Sequence, residues 1–194
     1  MPLKRQKKRN PYAQLFVICT EGRNTEPQYF GLPFFKSWGR QVMSFPSPNG
    51  SSPDKVKEAM NKWINRNTLQ PGDELWLVVD VDQWTDEQLM DLFTWAKEAK
   101  AEVARGVAVT NPKFEYWLLL HFEDNPPSTC RACCEHLNRY LPNYDKSIPA
   151  GAFNVENVRM AIERARRGDV PPAVAYPHKA GRTTVYRLAE RLLS

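Results

Sequence analysis

The sequence lacks any apolar run long enough to cross a membrane. A membrane-spanning helix needs about 20 consecutive, mostly apolar residues, and the 194-residue chain contains no such run. Its first residues, Met1 to Arg5, lead into positive charge rather than into an apolar segment, so we expect no signal peptide. Four cysteines without a secretory signal favour free thiols in a reducing compartment. We therefore expect a cytoplasmic protein that does not contact a membrane.

The sequence also lacks the glycine-rich loops that cradle phosphate. Neither a Walker-type loop nor the dinucleotide fingerprint is present among its nine glycines. One Cys/His group has part of the spacing of a zinc site, namely Cys130, Cys133, Cys134 and His136. A structural zinc site normally takes four ligands, and no second Cys-x-x-Cys occurs. We therefore favour cysteines that pack as small apolar residues, with zinc as the alternative.

Acidic residues are missing from the first ten positions, which explains the net charge of +5. The basic residues there are Lys4, Arg5, Lys7, Lys8 and Arg9. Beyond this segment, 22 of the 27 basic residues remain against 22 acidic ones, so the body is neutral. We predict a flexible tail at 1–10 and a single domain at 11–194. The tail either contacts nucleic-acid phosphates by Coulomb attraction or simply keeps the chain soluble.

Short apolar runs alternate with helical patterns along most of the chain. Buried strands are predicted at 13–19, 42–45, 75–79 and 106–109. Helices are predicted at about 26–38, 53–67, 85–100, 128–140, 154–167 and 181–193. A further helix is predicted to follow a cap at 110–112. This alternation favours an α/β fold, a Rossmann-like, mostly parallel sheet flanked by helices. The α/β core is expected at about 11–122 and a helical extension at about 123–194.

Polar residues follow three of the predicted strands, and carboxylates are prominent among them. In parallel sheets, ligands bind beyond the carboxyl ends of the strands, where Glu21 and Asp80-Val81-Asp82 are expected. Asp80 and Asp82 are two residues apart, so both point to one face of a strand and repel each other. A divalent cation with oxygen ligands relieves such repulsion, and Glu21 is a candidate third ligand. Alternatively, Glu21 opens a turn and Glu26 is a helix-start acid that interacts with the dipole.

Three sequence blocks, at 19–30, 78–82 and 110–122, resemble the RloB-like family of bacterial and archaeal proteins. The first is Cys19-Thr20-Glu21-Gly22-Arg23-Asn24-Thr25-Glu26-Pro27-Gln28-Tyr29-Phe30, and the second is Val78-Val79-Asp80-Val81-Asp82. The third begins Thr110-Asn111-Pro112-Lys113-Phe114-Glu115 and runs through Trp117 to Phe122. The resemblance implies a Toprim-like fold, similar to the nuclease part of OLD-family proteins.

The resemblance also implies roles for individual residues. It implies metal ligation by Glu21, Glu26, Asp80 and Asp82, support from Glu115 and a catalytic role for Lys179. The spacing from Glu21 to Glu26 is one residue longer than in the usual OLD pattern. By the same resemblance, the chain is expected to be a Mg²⁺- or Mn²⁺-dependent endonuclease of a phage-defence or abortive-infection system, with an ATPase encoded nearby as partner.

Other functions remain compatible with the sequence. One alternative is a non-catalytic toxin or binding subunit that acts with the ATPase, and another is a primase-like nucleotidyltransferase, since a fold does not fix a function. A basic helix segment either positions a nucleic-acid backbone or is a solvated face; its residues are Arg159, Arg164, Arg166 and Arg167. The sequence does not distinguish DNA from RNA as target, and it leaves the oligomeric state open.

Overall fold

Five strands form one sheet in the structure, a computed structural model that describes residues 12–81 and 84–194. They are β1 (Gln14–Thr20), β2 (Arg40–Pro46), β3 (Glu74–Asp80), β4 (Ala104–Asn111) and β5 (Arg182–Thr183). The order across the sheet is β2-β1-β3-β4-β5. The first four strands are parallel, and β5 pairs antiparallel with β4. The expected mostly parallel α/β sheet is thus confirmed, whereas the basic tail and Asp82 lie outside the described residues.

Seven α-helices in the described part of the chain flank this sheet. They are α1 (Thr25–Phe30), α2 (Pro53–Ile64), α3 (Asp86–Lys97), α4 (Phe114–Leu119), α5 (Cys130–Tyr140), α6 (Val155–Gly168) and α7 (Val185–Leu193), with a short 3₁₀ turn at Pro33–Phe35. Within residues 12–81 and 84–194, none of the helices combines the length and the apolar character that a transmembrane span requires.

The alternation of side chains along β1 shows how the two faces of the sheet are covered. Successive residues of a strand point to opposite faces. Phe16 and Ile18 join the core formed with α1, α4, α5, α6 and α7, whereas Leu15 and Val17 join the core formed with α2 and α3. Because both faces are covered, the middle residues of β1 (15–19) and β3 (75–79) are apolar on both faces, as in buried parallel strands.

Local signals fix the starts of two of the longer helices. Pro53 occupies the first turn of α2 after the N-cap Ser52, as predicted. Thr85 caps α3 and accepts a hydrogen bond from the Gln88 backbone amide, while the Gln88 side chain accepts from Thr85. This reciprocal capping box satisfies two otherwise unpaired amides. The loops that precede these two helices follow β2 and β3, so they lie at the carboxyl edge of the sheet.

Three predicted boundaries are wrong. The first helix ends at Phe30 rather than near Trp38, because Pro33 begins the separate 3₁₀ turn. Asn111 does not cap α4; its amide donates instead to the carbonyl oxygens of Pro177 and His178, and the helix begins only at Phe114. The segment predicted as helix from 181 first forms β5, so the C-terminal part also contributes to the sheet.

Candidate functional site

An open cleft of about 550 Å³ lies at the carboxyl end of the parallel strands. Four carboxylates that sequence reasoning singled out line it: Glu21, Glu26, Asp80 and Glu115. Three cationic residues line it too: Arg23, Lys113 and Lys146. The acids come from four elements, because Glu21 follows β1, Asp80 ends β3, and the other two lie in the first turns of α1 and α4. The fold therefore brings together residues separated by almost one hundred positions.

Glu21 joins the ends of β1 and β3. One of its carboxylate oxygens accepts the backbone N–H of Asp80 at 3.0 Å, and the other accepts the indole N–H of Trp84 at 3.1 Å. Its own backbone N–H donates to the Val78 carbonyl at 2.9 Å. These bonds fix the Glu21 carboxylate next to Asp80 before any ligand arrives.

Glu26 lies directly over Gly22, which explains why glycine follows Glu21. The Gly22 N–H donates to Glu26 Oε1 at 3.1 Å. A Cβ atom at position 22 would lie only 2.0 Å from Glu26 Oε2. Glu26 is 6% exposed, so its carboxylate has little room to move aside. Glycine at position 22 therefore permits the position of the Glu26 carboxylate.

Burial and neighbouring acids raise the pKa values of two acids of the cleft, Asp80 and Glu26. Burial, followed by repulsion from Glu26, Glu21 and Glu115, holds the pKa of Asp80 well above its usual range. Burial and the neighbouring Glu115 raise the pKa of Glu26 to about 7, although the Gly22 amide and Lys146 oppose the shift. Without a bound cation, the cleft thus favours protons on some of its carboxyls.

Glu115 is held from the side of the C-terminal segment. The Tyr144 hydroxyl lies 3.3 Å from Glu115 Oε1 and 2.9 Å from the hydroxyl of Thr25. Burial, chiefly, raises the pKa of Tyr144, so its phenol keeps the proton that it donates. The Thr25 hydroxyl in turn donates to the Lys146 carbonyl at 3.0 Å. Loop 141–154 is thereby joined to the start of α1 at the cleft.

Lys113 approaches Glu115 from the other side. Its ammonium lies 3.9 Å from Glu115 Oε2, and its side chain is 20% exposed. Burial lowers the pKa of Lys113, but Glu115 and the Cys134 thiol raise it, with a net rise. Lys113 therefore carries a positive charge in the cleft. Sequence reasoning assigned no role to Lys113, Lys146, Thr25 or Tyr144, although Thr25 lies within the first sequence block and Lys113 within the third.

The donor chemistry of the cleft suits a hard divalent cation, since all its acids offer carboxylate oxygens. In the part of the chain that the structure describes, however, no three His, Cys, Asp or Glu side chains form a group that could hold a metal ion. Asp82, the predicted partner of Asp80, is outside that part. The fit is therefore one of ligand type, and metal ligation stays a prediction.

Lys179 and the basic residues of α6 are not among the residues that line the cleft. Lys179 is exposed. Of the basic residues on α6, Arg164 and Arg167 pair with Asp124, and Arg166 pairs with Glu190. Arg159 is exposed. The exposed Arg159, Arg166 and Arg167 fit the solvated-face interpretation of α6, whereas Arg164 is largely buried and also donates to the Leu120 carbonyl.

The histidines do not contribute to the cleft. His121 is buried, its Nδ1 lies 3.0 Å from the Trp117 carbonyl, and its Nε2 lies 2.9 Å from the Tyr29 hydroxyl. A carbonyl only accepts, so Nδ1 carries the proton and Nε2 accepts from Tyr29. Burial lowers the pKa of His121 to about 3, as expected of a neutral core histidine. His178 is exposed beside Asp86.

The Cys/His group for which zinc was the alternative also has a structural explanation. Cys133 is buried, and its thiol donates to the Pro127 carbonyl at 3.0 Å. His136 Nδ1 lies 3.1 Å from Glu123 Oε1. None of the four cysteines forms a disulfide bond, and the described residues contain no group able to hold a metal ion. Packing of Cys133 in the core agrees with the favoured interpretation.

The fold and cleft together define an α/β protein with an acidic site at the carboxyl edge of a mostly parallel sheet. The family model described as RloB-like protein matches residues 16–192, nearly the whole chain. The chain therefore belongs to the RloB-like family, as the three sequence blocks predicted. No curated protein and no solved structure gives a significant match.

Proposed function

We propose that the chain is a divalent-metal-dependent nuclease that cleaves nucleic-acid phosphodiesters in a phage-defence system. The observation that carries the proposal is the convergence of four carboxylates from separate elements on one open cleft. Stability alone does not require this arrangement, because like charges close together oppose folding. Perturbed acids in a cleft are typical of functional sites. Membership of the RloB-like family supports the proposal, and the defence role and ATPase partner come from the resemblance.

The proposed ligands of Mg²⁺ or Mn²⁺ are Glu21, Glu26, Asp80 and Asp82. When bound, the cation would polarise a phosphate and lower the pKa of a bound water. Glu21 is already oriented by the Asp80 amide and the Trp84 indole, so its ordering costs little on binding. Tyr144 and Lys113 orient Glu115 from two sides.

The cations of the cleft suit a phosphate-bearing substrate. Arg23, Lys113 and Lys146 bring positive charge beside the acids. Such residues attract the backbone of DNA or RNA and set its position without reading bases. A cleft lined by carboxylates alone would repel a polyanion. Because cationic side chains also line this cleft, a metal-bound phosphodiester suits it better than a small cationic ligand does.

Calorimetric Mn²⁺ binding to the wild type and to Asp80→Asn tests the metal site directly. We expect saturable binding in the wild type and its loss in Asp80→Asn and in Asp80→Ala/Asp82→Ala. Glu98→Gln is the matched control, because Glu98 is an exposed acid at the far end of α3. Absence of wild-type binding, or equal binding by Asp80→Asn, contradicts the proposed site.

Cleavage assays then test the reaction on single-stranded DNA, double-stranded DNA and RNA. We expect Mn²⁺-dependent cleavage of at least one substrate by the wild type, and none by Asp80→Asn. Circular dichroism of the variant checks that it is folded. Metal binding without cleavage of any substrate, with or without the ATPase partner, argues against a nuclease.

One observation favours a second function, a non-catalytic subunit that works with the ATPase. Both oxygens of Glu21 already accept hydrogen bonds from the protein, and Glu26 accepts one from Gly22. Such bonds are compatible with a purely structural use of these acids. A wild-type protein that binds its ATPase but no Mn²⁺ would support this alternative.

A further inference from the structure

Loop 141–154, which joins α5 to α6, brings one lysine to the acidic cleft. Lys146 is the residue of this loop that lines the cleft. The Thr25 hydroxyl donates to the Lys146 carbonyl at 3.0 Å. Two residues further on, the Ile148 N–H donates to Gln28 Oε1 at 3.0 Å. Helix α1 therefore holds the loop on both sides of the Lys146 side chain.

The backbone of Lys146 has a conformation that lysine rarely adopts. Its φ angle is 73°, in the left-handed region that is unfavourable for a residue with a Cβ atom. Hydrogen bonds on either side fix this turn, since the Ser147 N–H donates to Asp145 Oδ1 at 3.1 Å. Glycine would take the same conformation without the steric penalty. The turn alone therefore does not call for lysine, and the side chain is the part to explain.

The Lys146 ammonium lies among the acids of the cleft without an ion pair to any of them. Burial raises the pKa of Glu26, and the charge of Lys146 opposes that rise. In the part of the chain that the structure describes, Lys146 is exposed and takes part in no salt bridge. Lys113, by contrast, lies 3.9 Å from Glu115 Oε2 and is 20% exposed. Of the two lysines, Lys146 is the one whose charge is available to a ligand.

Tyr144 connects this lysine to an acid of the cleft. The Tyr144 hydroxyl lies 2.9 Å from the Thr25 hydroxyl and 3.3 Å from Glu115 Oε1. A carbonyl oxygen only accepts, so the Thr25 hydroxyl uses its one proton on Lys146. The Tyr144 phenol must then donate, to Thr25 or to Glu115. The hydrogen bonds therefore run without a break from Glu115 to the backbone of Lys146.

We propose that Lys146 binds a phosphate of the nucleic-acid backbone beside the acids of the cleft, and that Tyr144 is the positioning residue that holds it there. The inference rests on the proposed function, because it takes a nucleic acid as the ligand. A lysine is a point charge on a flexible stem, which contacts phosphate without reading bases. Holding its backbone in place reduces the entropy that is lost when the contact forms. Replacing Tyr144 should therefore weaken the contact although it removes no charge.

Limited digestion with trypsin tests the positioning without metal or nucleic acid. Trypsin cleaves after lysine, and Lys146 is exposed and followed by Ser147. The rate of this cut, followed by mass spectrometry, reports local opening of the loop. We expect Tyr144→Phe to speed it about fivefold, the effect of losing one hydrogen bond. Tyr140→Phe is the matched control, because its exposed ring stacks on Phe122. Equal rates in the two variants overturn the positioning role.

Fluorescence anisotropy with a labelled single strand of about 20 nucleotides, longer than the usual binding site, tests the phosphate contact. DNA and RNA are compared in chelator on the Asp80→Asn background, which prevents cleavage and lowers the repulsion in the cleft. We expect Lys146→Met to weaken binding about threefold to tenfold. It should also reduce the slope of log affinity against log salt by about 0.7 to 1. Lys146→Arg keeps the charge and should keep most of the affinity.

The salt dependence distinguishes positioning from a merely structural role. Tyr144→Phe removes no charge, yet we expect it to reduce the salt slope too, because Lys146 is no longer held at the phosphate. Adding Lys146→Met to Tyr144→Phe should then weaken binding less than Lys146→Met does alone. Lys100→Met is the matched control for charge, because Lys100 is exposed between α3 and β4, at the opposite edge of the sheet. It should change neither the affinity nor the slope.

The outcomes separate this inference from the proposed function. Binding that depends on Lys146 supports the inference even where the wild type cleaves no substrate, which contradicts the nuclease alone. Binding with an unchanged affinity and salt slope in Lys146→Met overturns the inference alone. Absence of binding both on the Asp80→Asn background and by the wild type with Mn²⁺ overturns the two together.

Discussion

At the residue scale, ionisation of the buried Glu26 carboxyl lowers the stability of the folded state. Its pKa is raised to about 7 from an ordinary 4.5, chiefly by burial. The folded state therefore binds this proton more tightly than the unfolded state does, so stability falls as pH rises from about 4.5 through 7. Glu26→Gln removes the ionisation while keeping a similar shape.

We therefore expect Glu26→Gln to be more stable than the wild type at pH 8, by about 1–3 kcal/mol. The difference should vanish below about pH 4, where the wild-type carboxyl is largely protonated in both states. Urea denaturation between about pH 3.5 and 8, with a chelator present, measures it. A stability difference that is constant across this range would show that ionisation of Glu26 is not its cause.

Tyr29 provides a second prediction at the residue scale. Its buried hydroxyl donates to His121 Nε2 at 2.9 Å. Tyr29→Phe leaves that nitrogen buried without its donor, which should cost about 1–3 kcal/mol of unfolding free energy. Tyr140→Phe is the control, because Tyr140 is 42% exposed and stacks on Phe122 through its ring alone. Equal effects of the two changes in urea denaturation would argue against the hydrogen bond.

At the element scale, Gly106 permits the packing of β3 against β4. Gly106 pairs with Trp76 across the two strands, and a Cβ atom at position 106 would lie 2.5 Å from the Trp76 ring. The ring is rigid and its indole N–H donates to Glu74 at 2.9 Å. Gly106→Ala must therefore move the ring and break this arrangement.

We expect Gly106→Ala to destabilise the protein by about 1–3 kcal/mol, the usual cost of overpacking. Gly39→Ala should change stability by less than about 0.5 kcal/mol, since a Cβ atom there meets nothing within 4 Å. Chemical denaturation of both variants provides the comparison. Near-equal midpoints would mean that the Trp76 ring moves aside freely.

The elements also show what the sequence could and could not predict. The four parallel strands were predictable because their apolar runs are local patterns. Strand β5 was not, since two residues carry no periodicity and pair with β4 only through the tertiary fold. Glu21 and Asp80 were predictable from strand ends. Tyr144 and Lys146 were not, because they reach the cleft from a loop more than one hundred residues beyond Thr25.

At the scale of the whole molecule, the arrangement of acids that could bind a cation also lowers the stability of the unliganded fold. Like charges converge where Asp80 meets Glu26, Glu21 and Glu115, and the pKa of Asp80 is held well above its usual range. The core on both faces of the sheet holds these elements together despite the repulsion. If the cleft binds a cation, the same convergence that weakens the unliganded fold becomes a source of stability.

Asp80→Asn tests this balance, because it removes a charge at the centre of the cluster and keeps the shape. Without metal at pH 8, we expect its unfolding free energy to exceed that of the wild type by roughly 1 kcal/mol. Its melting temperature should therefore be higher. With Mn²⁺ at about one hundred times the dissociation constant, the wild type should gain about 2.7 kcal/mol, while the variant gains none. The order of the two melting temperatures should therefore reverse. Scanning calorimetry with chelator and with Mn²⁺ measures both. A wild type that is more stable than the variant even in chelator would mean that Asp80 stabilises the fold through its own contacts, and the balance between repulsion and binding would not hold.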